Sequence, residues 1–95
     1  MSAARGVVRL DDDQVRVTVW TFGPDNAATG HHRHELDDVL VPLTGGTFTV
    51  TGVDGSVREL LQMAGVPYRG AAGTAHDVAS VPGQTAVVVE VELRR

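Results

Sequence analysis

The chain has no cysteine, no lysine and few aromatic residues: one tryptophan, one tyrosine and two phenylalanines in 95 residues. Without cysteine, neither a disulfide framework nor a thiolate metal site can form. All eight basic residues are arginines, scattered along a chain of net charge -4. No basic stripe results, so nucleic acid is not an expected partner. No apolar run approaches the roughly 20 residues that span a bilayer, so no membrane partner is expected either. Met1 to Gly6 lacks the basic-then-apolar order of an export signal, and a cytoplasmic location is expected.

What the chain does have is period-two alternation. Val15, Val17 and Val19 alternate with Arg16, Thr18 and Trp20, as in a half-buried strand. Thr47 to Thr51 is rich in β-branched residues, Asp54-Gly55 is a tight-turn signal, and Ser56 to Leu61 reads as the strand returning from it. Thr85 to Leu93 is a Val-rich run with Glu90 and Glu92 on one face. Pro42, within Val39 to Leu43, predicts an edge strand or a bulge, because proline cannot donate to a ladder. Glycines and prolines interrupt the chain at short intervals. The pattern predicts an all-β fold, a small antiparallel β-barrel or jelly roll, forming one domain over 1–95. Val39, Val41, Phe48, Val50, Val87 and Val89 are expected to build its strands, without assignment to a face.

The only dense cluster of potential metal ligands is His31-His32-Arg33-His34, followed by Glu35, Asp37 and Asp38. Imidazoles and carboxylates so close together suit a divalent first-row metal ion. In a strand, His32 and His34 share a face, continued by Leu36 and Asp38 if the strand stays regular, while His31 points away as a surface or supporting residue. His76, the one remaining histidine, is the candidate fourth ligand from a distant strand. The expected set is therefore His32, His34, Asp38 and His76, with Asp37 replacing Asp38 if a bulge exchanges their faces.

The order Gly30, His32-x-His34, Asp38, Gly45 resembles the first motif of the cupins, and Gly73 with His76 resembles the second. Ala71 and Ser80 stand where that second motif usually has proline and asparagine. His32-Arg33-His34-Glu35-Leu36-Asp37, then Val39-Leu40-Val41-Pro42-Leu43-Thr44 and the closing Val89-Glu90-Val91-Glu92, are similar to a subgroup of short cupins labelled as β-alanine-degradation proteins. The resemblance covers about Val15 to Leu93. It implies a metal inside the open end of the barrel, pairing of the chain into a homodimer, and dioxygenase, isomerase or lyase chemistry.

Three histidines and a carboxylate leave two positions of an octahedron open to a small-molecule substrate, and Fe, Mn, Ni or Zn would each suit them. The expected function is a metal-dependent enzyme acting on a small polar or carboxylated metabolite; the alternative is a non-catalytic metal- or ligand-binding protein. Tyr68 and Asp37 are the candidate acid–base groups. Arg69 could orient an anion, Gln62 and Met63 could line the cavity, and Trp20 could lie on the surface, against a partner or at the cavity mouth. Asp11-Asp12-Asp13 reads as a solvated turn.

Overall fold

The computed structural model describes residues 3–94; Met1, Ser2 and Arg95, at the ends of the expected 1–95 domain, lie outside the described residues. The described chain forms β1 (Arg5–Asp11), β2 (Val15–Phe22), β3 (His32–Arg33), β4 (Asp38–Pro42), β5 (Gly46–Gly52), β6 (Val57–Gln62), β7 (Tyr68–Gly70), β8 (Ala75–Ser80) and β9 (Ala86–Leu93). A five-stranded sheet in the order β1-β2-β9-β4-β7 faces a four-stranded sheet in the order β3-β8-β5-β6. Every pairing between these strands is antiparallel. The all-β expectation holds.

The β5–β6 hairpin forms where Asp54-Gly55 predicts it. Gly55 takes φ +82°, and the Asp54 carboxylate accepts from the Ser56 amide at 3.0 Å and from its hydroxyl at 2.7 Å. Asp12 likewise closes the β1–β2 turn, its carboxylate accepting from the Gln14 and Val15 amides at 2.8 Å. These backbone donors hold the exposed carboxyl of Asp12 below its usual range. The acidic run is thus a turn device.

Between the sheets, Phe22 and Phe48 meet edge-to-face at 5.0 Å, packed with Ala27, Ala86 and Val88. Strand alternation sends Phe48 and Val50 inward. It sends Val39, Val41, Val87 and Val89 to the outer side of the five-stranded sheet, where cross-strand pairing aligns Val7, Val19, Val89 and Val41 in one row and Leu10, Val17, Val91 and Val39 in another.

Pro42 corrects one expectation. β4 is an interior strand, between β9 and β7, and not an edge. Leu43 donates to Val87 on the β9 side, so the position before it faces the β7 side. There β7 pairs only with Asp38, Val39 and Leu40 and has ended before Pro42, so the missing N–H leaves no acceptor stranded.

Candidate metal centre

The site begins with a cross-strand pair. β3 runs beside β8 with His32 directly opposite His76, which places both imidazoles on the inner face of the four-stranded sheet. Gly30, at φ +78°, makes the turn into β3 in a conformation that suits glycine. Its carbonyl lies 2.9 Å from His32 Nδ1, and a proton held there leaves Nε2 as the free lone pair.

His34 follows β3 and brings its own Nε2 to 3.0 Å from His32 Nε2 and 3.1 Å from His76 Nε2. Two nitrogens at about 2.1 Å from one ion, at right angles, lie about 3.0 Å apart, so the spacing fits a shared metal. Burial and the neighbouring rings push the His76 pKa down to about 4, so its imidazole is neutral at pH 7.

Asp38 does not join the three nitrogens. Regular strand ends at Arg33, and the chain crosses to the opposite sheet before Asp38 opens β4. The carboxylate therefore approaches the other side of the His34 ring, with Oδ2 3.2 Å from Nδ1. Glu90, projecting inward from β9, brings Oε2 to 3.4 Å from the same nitrogen. Asp38 and Glu90 together raise the His34 pKa to about 10, against the opposing effect of burial. Asp38 is itself 1% exposed and drawn below the usual carboxylate range by its bond to His34, against its own burial.

Further contacts hold these carboxylates in place. The Trp20 indole N–H donates to Glu90 Oε1 at 3.0 Å, which settles the orientation of Trp20: inward, lining the cavity. Arg16 grips Glu92 through Nε at 2.7 Å and a terminal nitrogen at 2.9 Å. Two glycines give the required room. A Cβ on Gly6 would lie 2.9 Å from the Trp20 ring, and one on Gly70 would collide with Asp38 Oδ1.

Beside the histidines lies a cavity of about 640 Å³, lined among others by Trp20, Leu40, Arg58, Gln62, Tyr68 and Glu90. Gln62 is buried and donates through Nε2 to the Tyr68 hydroxyl at 2.7 Å, whereas Met63 is 62% exposed and does not line the cavity. Burial, and secondarily the charge of Asp38, pushes the Tyr68 pKa up to about 12. Asp37 sits exposed outside the cavity, its side chain accepting from the Ala72 amide at 2.8 Å. His31 is exposed as expected, and Arg69, exposed between inward-facing Tyr68 and Gly70, is among the residues that line the cavity.

Ser80, at the position where the second motif usually has asparagine, is buried and accepts from Gln84 Nε2 at 2.9 Å. It is part of a network tying β8 to β5: Gln84 also accepts from the Thr47 amide and donates to the Thr47 carbonyl. The residue acts in the core and not at the metal centre.

Two facing antiparallel sheets with three histidines at one end of the space between them define a cupin, and the comparisons agree. The chain belongs to the small cupins: a cupin domain from Bordetella pertussis superimposes with a TM-score of 0.92 at 33% identity, covering 99% of this chain and 96% of that one. Over 87 residues the chain is 40% identical to the β-alanine degradation protein BauB of Pseudomonas aeruginosa, covering 92% of this chain and 90% of BauB. A protein with a double-stranded β-helix domain from Klebsiella pneumoniae shares the fold, with a TM-score of 0.77 at 20% identity, over 97% of this chain and 77% of that one. No protein-family model matches the chain.

Proposed function

We propose that His32, His34 and His76 hold one divalent ion, Fe, Mn, Ni or Zn, and that the protein is an enzyme acting on a small polar or carboxylated metabolite. The observation that carries this reading is the convergence of three Nε2 atoms at 3.0 and 3.1 Å beside an open cavity. When bound, such an ion supplies Lewis acidity to a ligand oxygen or lowers the pKa of a bound water. In this proposal Asp38 is not a ligand. With Glu90 it holds the Nδ1 proton of His34 and aims the opposite nitrogen, the role outer carboxylates have around metal-bound histidines. Tyr68 keeps its proton at neutral pH and serves as a hydrogen-bond donor. The name of the BauB relative supports a short acid as the substrate class.

One observation favours the alternative, a non-catalytic binder. The inward carboxylates are committed to internal partners, Asp38 and Glu90 to His34 and Glu92 to Arg16, and Asp37 faces outward. A general base would have to come from the ion's own water. We propose further that the chain works as a homodimer through the valine rows of the five-stranded sheet, since the aligned rows of Val17, Val91 and Val39 and of Val19, Val89 and Val41 can pack on a second copy.

Elemental analysis of the parent, His32→Ala and His76→Ala proteins tests the metal. One equivalent in the parent and a loss in both variants is expected; unchanged content in both variants would refute it. A turnover screen of short carboxylic acids under oxygen, with each metal restored, separates enzyme from binder.

A further inference from the structure

The cavity is lined by the acids Glu35, Asp38, Glu90 and Glu92 and by the arginines Arg16, Arg33, Arg58 and Arg69. Arg16 is paired with Glu92 and Arg94 with Asp11. Arg58 takes part in none of the ion pairs found among the described residues. Arg58 is exposed, on edge strand β6 and on the same face as half-buried Leu60 and buried Gln62, which places it at the cavity mouth. In the β5–β6 hairpin Arg58 pairs with Val50 and Leu60 with Phe48, and Val50 and Phe48 both face the core. Arg58 lines the main cavity and also a second hollow of about 300 Å³ that it shares with His76. Its charge reaches both the Tyr68 hydroxyl and the His76 ring.

Tyr68 lies across the opening from Arg58. β6 and β7 are edge strands of different sheets, so the gap between them forms a side of the cavity mouth. The Tyr68 oxygen already accepts from Gln62, which leaves its hydroxyl hydrogen free to be donated. The other Gln62 side-chain atom, Oε1, is buried without a partner. The β6–β7 side of the cavity thus carries two donors for an anion, a guanidinium and a phenol hydrogen, and one unpartnered acceptor, Gln62 Oε1, which would take a hydrogen from a donor elsewhere on the ligand. That inventory suits a carboxylate at one end of a ligand, because a guanidinium can form paired, charge-assisted bonds to its two oxygens.

We infer that Arg58, with the Tyr68 hydroxyl as second donor, anchors the carboxylate of a small acid whose other polar end reaches the three histidine nitrogens. This rests on the metal-centre proposal for the second half of the ligand only. Carboxylate capture is Arg58's own property and can be measured without metal.

The test is calorimetric titration of propionate and of its uncharged analogue propionamide. Each is titrated into zinc-loaded and metal-free parent, Arg58→Gln, Arg58→Lys and Tyr68→Phe proteins, with zinc content measured in every sample. In the parent, propionate is expected to bind at least tenfold more tightly than propionamide in both forms. Arg58→Gln should lose at least tenfold for propionate and nothing for propionamide, with zinc content unchanged; Arg58→Lys should recover part of the loss. Tyr68→Phe should lose a smaller factor. Equal propionate binding by the parent and Arg58→Gln, or a parent preference for propionamide, would overturn the inference. Failure of the parent to hold zinc would overturn the metal centre instead, and the metal-free titrations would still decide the role of Arg58.

Discussion

His34 and Asp38 are four residues apart in the chain yet meet from opposite sheets, with Nδ1 and Oδ2 at 3.2 Å. The chain turns between them, and the carboxylate lies behind the imidazole instead of beside it. Removing its charge should therefore weaken the metal centre without dismantling it. Asp38→Asn is expected to lower metal affinity by about 10–100-fold while retaining one equivalent, as measured by competition with a chelator. Complete loss of metal, matching His76→Ala, would make Asp38 a ligand.

Gly70 offers a second route to the same group. A methyl at Gly70 would meet Asp38 Oδ1, a buried atom with little freedom to retreat. Gly70→Ala should cost about 1–3 kcal/mol in chemical denaturation, the range of overpacking, and should weaken metal binding in parallel with Asp38→Asn. Parent-like stability and affinity would show that the Asp38 carboxylate is free to move.

The metal-free protein should carry a signature in its pH dependence. The folded pKa of His34 is about 10, above its ordinary 6.5, so its contribution to stability is complete below pH 6.5 and lost as pH rises through 10. The folded pKa of His76 is about 4, below 6.5, so its contribution is present above pH 6.5 and lost as pH falls toward 4. On these two groups alone, urea denaturation of metal-free protein should show greatest stability near pH 6.5. Metal must displace the extra His34 proton, so apparent metal affinity should rise with pH from 6.5 toward 10. A flat affinity profile over that range would contradict a protonated His34.

Trp20, the chain's single tryptophan, donates to Glu90, which in turn reaches His34. Its emission should report on the centre. Saturable quenching by one equivalent of nickel is expected, abolished in His76→Ala; quenching that survives in that variant would place the metal elsewhere.

The structure also shows which parts of this account were legible in the sequence. The Asp54-Gly55 turn and the alternation of β9 each depend on neighbours in sequence, and each appears as expected, while the structure brings His76 across from β8 to His32 and His34. The position of Asp38 depends on where β3 stops, and two residues of strand leave too little alternation to read. Arg58 is exposed, as an arginine on a short alternating strand ordinarily is, and its place at the cavity mouth follows only from the hairpin register that sets it opposite Val50. The role of Glu90 was hidden for a similar reason. Ala86, Val88, Glu90 and Glu92 share one face of β9, and the equally apolar Val87, Val89 and Val91 look at least as suited to the core. Edge and interior positions, as for Pro42, are properties of sheet order and carry no local signal.

The outer valine rows make the homodimer testable. Val89→Arg is expected to leave the fold and metal content intact and to shift the sedimentation coefficient from dimer to monomer. A parent that sediments as a monomer, or a variant that remains dimeric, would exclude this face.

The most direct measurement is anomalous diffraction from crystals grown with one equivalent of nickel. The predicted peak lies within about 2.2 Å of the Nε2 atoms of His32, His34 and His76. A peak on the far side of His34, between Nδ1, Asp38 and Glu90, would contradict the account, because those three groups also lie close enough to hold an ion.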